Sequence, residues 1–286
     1  MYGLKNAPKA YSDHFMSILK RIGFTQSTRD ECLWSYNTGK YFLHYLFHVD
    51  DLMVVSNSEA LKSSVLRVLQ KELKIRDEGL VSKFLGMRIE RRADGSYTMD
   101  QQSYIEKMAE LFCVNDDTKT TEQPGVCGQV LTKETLPKTE KEKLEAERLP
   151  MQELCGGLIY VNKTRPDVAY DISDAARFMG KWGVEHFNRA LRILKYLYCT
   201  RDRKLVFSSS STNTSPELSV YCDANYGDGR TSPKRDDKWK SQGGYLISLE
   251  NCLVSWRSRA ISSAFLRTIS SYLLCFRSSS SSSLCV

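Results

Sequence analysis

The chain has 286 residues, of which 41% are hydrophobic and 26% charged, and its formal net charge is +7. This composition is ordinary for one or two folded domains and is compatible with nucleic-acid binding. No stretch approaches the length of a membrane-spanning helix, the N-terminus lacks a signal-peptide core, and the cysteines and histidines show no zinc or disulfide pattern. We therefore expect an intracellular protein, cytoplasmic or nuclear, with no membrane partner.

The first part of the chain predicts helices and hairpins in alternation. Apolar periodicity predicts a helix over 8–23 that ends at Gly23. A β-ribbon follows over 41–55, and Asn57 or Ser58 is placed to cap a second helix. Two strand-like runs follow at 84–89 and 96–99, and Asp94-Gly95 between them is a strong hairpin signal. A further helix is predicted at 101–112. This order favours an α+β fold with an antiparallel sheet.

The second part changes character three times. A polar, charged segment over 115–150 is interpreted as a linker with one solvated helix near 138–148. Helical stripes follow, and Thr164-Arg165-Pro166-Asp167 has the pattern of a helix start. Short strands are predicted near 218–222, 244–249 and 253–256 as the start of an antiparallel meander. The Ser-rich end is expected to be disordered.

The adjacent acids Asp50 and Asp51 are the candidate catalytic pair. They interrupt an apolar, β-favouring run, so they are predicted at a tight turn between two strands. Two carboxylates at such a turn repel each other and lose hydration, and a divalent metal compensates them best. An ordinary Asp-rich turn is the simpler explanation of the pair alone, because Asp tolerates turn conformations well. Paired carboxylates that hold magnesium against phosphates are typical of phosphoryl transfer.

An ordered series of segments resembles the motifs of copia-type retrotransposon reverse transcriptases. Residues 1–11, MYGLKNAPKAY, resemble the motif L-Y-G-L-K-Q-A-P-R-A-W. The segment FHVDD at 47–51 resembles the Y-V-D-D box, and FLGMRI at 84–89 resembles F-L-G-I-E-I. Two further segments, TRPDVAY at 164–170 and RFM at 177–179, resemble the family motifs T-R-P-D-I-A-Y and R-F-M. The segment YCDANYGD at 221–228 resembles the start of the family's ribonuclease H domain, and Gly244-Tyr245 and Ser255-Trp256 lie where that domain has the same residues.

The resemblance implies a fold and a reaction. The fold is a partial polymerase palm with an antiparallel sheet, a helical thumb and connection, and the truncated start of a ribonuclease H-like domain. The domains would be palm and thumb start at 1–114, linker at 115–150, connection at 151–203, ribonuclease H-like strands at 204–257, and Ser-rich tail at 258–286. The reaction is RNA-directed DNA synthesis on a template-primer from deoxynucleotides, with two magnesium ions.

The same resemblance assigns roles to residues. Asp50 and Asp51 would be metal ligands of the palm, and Asp223 would be the first metal ligand of the ribonuclease H site. Residues near the nucleotide and template would be Gly3, Lys5, Asn6, Pro8 and His48.

Three departures from the family pattern predict a catalytically incomplete fragment. The family takes a further metal-binding Asp from a strand upstream of L-Y-G-L-K, and this chain begins at Met1 inside that motif, so magnesium is expected to bind poorly. His48 replaces the Tyr of the Y-V-D-D box; this substitution is either tolerated sequence drift or adds a charge beside the metals. No acid follows Glu250, where the family has S-S-T-E-A-E-Y, so Asp223 alone cannot hold a two-metal nuclease site and a shifted reading frame is expected.

Whether the chain is an enzyme is therefore left open by its sequence. The first hypothesis is the incomplete fragment. The alternatives are an active polymerase whose missing strand is supplied elsewhere, a non-catalytic nucleic-acid-binding remnant that uses its surplus Lys and Arg, and a poorly folded pseudogene product.

Overall fold

The computed structural model describes residues 7–49, 51–117, 121–126, 135–208, 217–224 and 241–261, with only the backbone given at a few of them. Helices and antiparallel sheets occur together, which confirms the α+β class. The chain forms two compact units, Met1–Ile89 and Glu90–Val286, and each is described by itself. In the part of the chain that is described, no helix has the length and apolar character needed to cross a membrane.

The first unit contains a four-stranded antiparallel sheet and two helices. Its strands lie side by side in chain order. The elements are α1 (Ala7–Ile22), β1 (Thr25–Gln26), β2 (Leu33–Asn37), β3 (Phe42–His48), β4 (Asp51–Ser56), α2 (Glu59–Glu72), β5 (Lys83–Phe84) and the start of β6 (Met87–Arg91).

One face of this sheet is covered by the two helices. Along β3 the side chains of Leu43, Tyr45 and Phe47 are buried and the alternate ones are not, as the period of a half-buried strand requires. Trp34 of β2 belongs to the same core. The helices contribute Phe15, Ile18 and Leu19 from α1 and Val65 and Leu69 from α2. Ser58 caps α2 by accepting a hydrogen bond from the Leu61 N–H, which confirms the predicted capping position.

The structure corrects the strand predicted over 84–89. The run divides into β5 and β6, which pair antiparallel with Phe84 opposite Met87. Leu85 and Gly86 form the turn between them with φ values of 48° and 77°. Two consecutive residues with positive φ are characteristic of the tight turns that join antiparallel strands, and the Gly supplies one of them at no steric cost.

The second unit combines helices with two sets of strands. β7 pairs with β8, and β10 lies between β9 and β11 in an antiparallel meander, as predicted. The elements are β7 (Tyr97–Asp100), α3 (Gln102–Leu111), α4 (Glu140–Glu147), α5 (Met151–Val161), a 3-10 turn at Pro166–Val168, α6 (Ala169–Ala176), α7 (Val184–Cys199), β8 (Leu205–Phe207), β9 (Leu218–Ala224), β10 (Ser241–Leu249) and β11 (Cys252–Ile261).

The core of the second unit lies among α3, α5, α6 and α7. Its fully buried members include Leu154, Leu158, Ile193, Leu194 and Leu197, which lie on the apolar stripes of α5 and α7. The meander is attached to this helical core, because the Trp256 indole N–H donates to the Asn162 carbonyl at 3.0 Å. The predicted Ser-rich tail lies outside the described residues from position 262 onward, whereas β11 itself extends to Ile261, beyond the strand predicted to end at Trp256.

Candidate polymerase hairpin and ribonuclease H-like cleft

The β3–β4 hairpin brings two of the predicted site residues together. The strand register ends with His48 opposite Asp51, so that the chain reverses direction within positions 49 and 50 of the sequence. His48 and Asp51 are both exposed, and as an opposed pair they project from the same side of the sheet. Asp50 itself lies outside the described residues. The predicted tight turn between two strands is confirmed.

The backbone of this turn is strained at Val49. Its φ is 55°, in the left-handed region that a β-branched side chain rarely adopts. Such a conformation costs on the order of 1–3 kcal/mol and persists only where the surrounding structure enforces it. A two-residue turn between antiparallel strands commonly requires positive φ at its central positions, so Val49 adopts the conformation that the hairpin imposes at the cost of strain.

The side of the sheet that carries His48 and Asp51 is the side opposite the helices. By the register, Leu46 and Met53 form the next pair on that side, followed by His44 and Val55. The Val55 side chain is 52% exposed. The His44 imidazole is held by a 2.8 Å hydrogen bond to the Ser35 hydroxyl. Asp51 therefore lies at one end of an open, partly apolar sheet surface that an extended ligand can cover.

The N-terminal motif is only partly described. Gly3, Lys5 and Asn6 lie outside the described residues, and Pro8 lies in the first turn of α1. Further along the same helix, the Phe15 ring packs edge-on against Phe47 of β3 with 5.3 Å between ring centroids. This contact fixes α1 beneath the strand that ends at His48.

Among the described residues, no three His, Cys, Asp or Glu side chains are grouped as metal ligands. Asp51 offers the hard carboxylate oxygens that magnesium prefers, and its exposure leaves them reachable. The donor set at the hairpin tip thus fits a magnesium ion in type, with Asp50 as the neighbouring carboxylate of the sequence.

The third predicted catalytic residue, Asp223, lies in the other unit, on β9. It is exposed, and its Oδ1 accepts a 2.8 Å hydrogen bond from the Ala224 N–H. Within the described part of the chain, the lining around Asp223 includes no second carboxylate, so these residues alone do not fit a two-metal nuclease site.

Asp223 opens onto a cleft of about 550 Å³ between the meander and the start of α6. Pro166, Ala169 and Tyr170 form one wall. The sheet forms the floor, where the register places Tyr221, Leu246 and Trp256 in one row and Asp223, Gly244 and Ser258 in the next. The volume falls within the range of roughly 300–1,000 Å³ that is typical of small-ligand sites.

Sequence reasoning identified Asp223 but missed the cleft around it. Gln242 comes from a segment that carried no chemical signal, and Tyr170 was noted only as the last residue of the motif at 164–170. Gly244 did offer a sequence signal, since a glycine inside a strand marks a bulge or a place where another group approaches closely. Here it stands on the cleft floor between Asp223 and Ser258, where a side chain would occupy the space.

Comparison with known proteins places the chain in a family. The family described as reverse transcriptase (RNA-dependent DNA polymerase) matches residues 1–124. A putative transposon Ty5-1 protein of Saccharomyces cerevisiae is 33% identical over 262 residues, which cover 91% of this chain and 80% of the yeast protein. No solved structure matches the chain significantly.

Two plant polyproteins are also similar. The retrovirus-related Pol polyprotein from transposon TNT 1-94 of Nicotiana tabacum is 30% identical, and that from transposon RE1 of Arabidopsis thaliana is 27% identical, each over 91% of this chain. The chain spans only 19% and 16% of the length of these two proteins.

The chain therefore belongs to the reverse transcriptase family of retrotransposon Pol proteins, and its identification with copia-type elements is confirmed. Reverse transcriptases act on nucleic-acid templates and nucleotides, and they generally use a divalent metal ion.

Proposed function

We propose that this chain is a retrotransposon-derived reverse transcriptase fragment whose polymerase site lies at the tip of the β3–β4 hairpin. The observation that carries the proposal is the hairpin itself. It presents Asp51 and His48 on an open sheet surface, next to Asp50 in the sequence and beside a strained Val49. In this assignment the first unit is the later part of a polymerase palm.

The residues of the hairpin would act in different ways. Asp50 and Asp51 would hold magnesium, which when bound stabilises the attacking and leaving oxygens of nucleotide transfer. His48 would lie beside the growing strand, where its ring can stack on a base. Four residues of the motif at 1–11 would contact the nucleotide and the template: Gly3, Lys5, Asn6 and Pro8.

We further propose that these 286 residues by themselves do not extend a primer. The family resemblance assigns a third metal-binding Asp to a strand upstream of the motif at residues 1–11, and Asp50 and Asp51 are the two carboxylates of this site that the sequence contains. A two-ion site that lacks a bridging ligand binds metal weakly and in the wrong geometry. We propose that Asp223 also lacks its partner carboxylates within these 286 residues, because no acid follows Glu250 in them. The intracellular location stays a prediction from composition.

A template-primer extension assay with magnesium tests both proposals. We expect no extension by the chain alone. Adding a polypeptide that supplies the upstream Asp-bearing strand is expected to produce extension that Asp50→Asn or Asp51→Asn abolishes. Asp13→Asn, at an exposed acid of α1, is the matched control and should leave that extension unchanged.

Two outcomes would contradict these assignments. Extension by the chain alone, abolished by Asp50→Asn, would show that the site is complete and would establish the active polymerase. Extension that survives both Asp50→Asn and Asp51→Asn would remove the hairpin from the reaction altogether.

A further inference from the structure

We propose that the cleft between α6 and the β9–β10–β11 meander, hereafter the meander cleft, binds an unpaired nucleobase of a single-stranded nucleic acid. This site lies in the second unit and requires neither magnesium nor the β3–β4 hairpin. It goes beyond polymerase function, because it assigns a binding role to strands whose nuclease carboxylates are incomplete.

The floor of the meander cleft is built for a flat ligand. Tyr221, Leu246 and Trp256 follow one another across three neighbouring strands, so their side chains form a continuous apolar row. In the next row Gly244 carries no side chain, and a Cβ added there would approach the Arg257 carbonyl oxygen at 3.1 Å. The missing side chain leaves the space above this row open between Asp223 and Ser258.

Two sets of hydrogen bonds hold the cleft in shape. The Gln242 side-chain amide donates to the hydroxyls of Ser173 on α6, at 3.1 Å, and of Ser258 on β11, at 2.8 Å. The Trp256 indole N–H donates to the Asn162 carbonyl. These bonds join the sheet to the helices on two sides, so the walls are positioned before a ligand arrives, which reduces the entropy lost on binding.

The open side of the cleft exposes an aromatic ring and a carboxylate. The Tyr221 side chain is 67% exposed, although it is a large aromatic residue beside an apolar row. Tyr170 and Pro166 line the facing wall. A base inserted between the floor and this wall gains stacking with aromatic side chains, an interaction that tolerates every base because each has a π-face.

Asp223 adds a preference among the bases. A carboxylate accepts hydrogen bonds from exocyclic amino groups, such as the N4 amine of cytosine. Thymine has no amino group, so it gains the stacking without this bond. The base must also be unpaired, because a base in a duplex is stacked on both faces and its pairing edge is already bonded.

The experiment measures binding of labelled homopolymers of about 12 nucleotides to the full chain by fluorescence anisotropy, without magnesium. We expect single-stranded dC to bind more tightly than dT, and a duplex of the same length to bind more weakly than either. Tyr221→Ala should weaken binding of single-stranded dC by at least about fivefold, while Tyr221→Phe, which keeps the ring, should bind like the native chain.

Matched variants distinguish the cleft from general attraction to phosphates. Tyr97→Ala removes a partly exposed tyrosine from β7, outside the cleft, and should leave affinity unchanged. Asp223→Asn should reduce the preference for dC over dT. The slope of affinity against salt should be the same for the native chain and Tyr221→Ala, because base stacking releases no counterions.

The proposal is wrong if Tyr221→Ala and Tyr97→Ala bind equally well while both retain the native thermal midpoint. It is also wrong if duplex binds as tightly as single strand. Both outcomes are independent of primer extension, so failure here would leave the polymerase proposal untouched.

Discussion

His48 and Asp51 face each other across the last registered pair of the β3–β4 hairpin, on the side of the sheet that the helices leave open. Directly opposed side chains in an antiparallel pair have Cβ atoms about 4.5–5.5 Å apart, so the imidazole and the carboxylate share one local environment. We therefore expect a substitution at position 48 to change the surroundings of the Asp51 carboxylate.

Placing a second negative charge opposite Asp51 should destabilise the hairpin. His48→Glu places a carboxylate opposite Asp51, and like charges directly opposed in a sheet cost about 0.2–1 kcal/mol. We expect the free energy of unfolding from urea titration to fall by that amount. His48→Gln is the neutral control. Equal stability of the Glu and Gln variants would show that the two side chains do not interact.

Relieving the strained turn should stabilise the same hairpin. Val49→Asn places a residue that tolerates positive φ where Val now adopts 55°, and we expect the free energy of unfolding to rise by about 1 kcal/mol. Val55→Asn is the matched control, because Val55 is exposed within the regular part of β4, where Asn is disfavoured. Stabilisation by both substitutions would mean that turn strain is not the cause.

Local patterns were sufficient to predict most of the first unit. The alternation along 42–48 and the cap at Ser58 each depend on neighbouring residues, and each is confirmed, as is the Asp94-Gly95 turn at the start of the second unit. β2 was missed, although Trp34 is one of the largest fully buried side chains, because its five residues do not alternate clearly in polarity. Its burial is decided by pairing with β3, which no local window contains.

The sites were less predictable for the same reason. Asp51 and Asp223 were found through short motifs, whereas the meander cleft depends on residues brought together from distant segments. Tyr170 belongs to α6, Tyr221 to β9 and Trp256 to β11, so only the tertiary fold makes them neighbours. The motif at Thr164–Asp167 was interpreted as a helix start, and its hydrogen bonds to residues some thirty positions later were not foreseen.

Arg165 should be among the most important polar residues for stability of the second unit. Its side chain is 3% exposed and forms a two-pronged pair with Asp167, at 2.9 and 2.7 Å, and a third bond to the Thr200 carbonyl. Arg165→Met leaves Asp167 partly buried without its main partner, a change that costs about 3–5 kcal/mol in buried pairs. The free energy of unfolding should fall correspondingly, whereas Lys143→Met, at the exposed pair with Glu140 on α4, should cost less than about 1 kcal/mol.

The same pair should make stability depend on acid pH. Burial alone would raise the pKa of Asp167, but the hydrogen bonds and charge of Arg165, with the Tyr196 hydroxyl, hold it below its ordinary value of 3.8. A carboxyl whose pKa is lowered by folding stabilises the native state above its ordinary pKa, and this stability is lost as pH falls through the lowered value. Unfolding followed from pH 7 down to about pH 2 should show this loss below about pH 4. Asp167→Asn should flatten that part of the profile, and an unchanged profile would contradict the assignment.

Two adjacent glycines of α5 should respond oppositely to the same substitution. A Cβ at Gly156 meets nothing within 4 Å, so Gly156→Ala gains helix propensity and should raise the free energy of unfolding by about 0.5–1 kcal/mol. A Cβ at Gly157 would lie 2.5 Å from the Sδ and Cε atoms of Met108, which is buried against α5 in the core. The same gain in propensity is then opposed by displacement of Met108, and overpacking of this kind costs about 1–3 kcal/mol. Chemical unfolding of the two single variants measures the difference directly. Shortening the obstructing side chain in the double variant Gly157→Ala, Met108→Leu should recover part of the loss, and equal stability of Gly156→Ala and Gly157→Ala would show that α3 and α5 are not in close contact at this position.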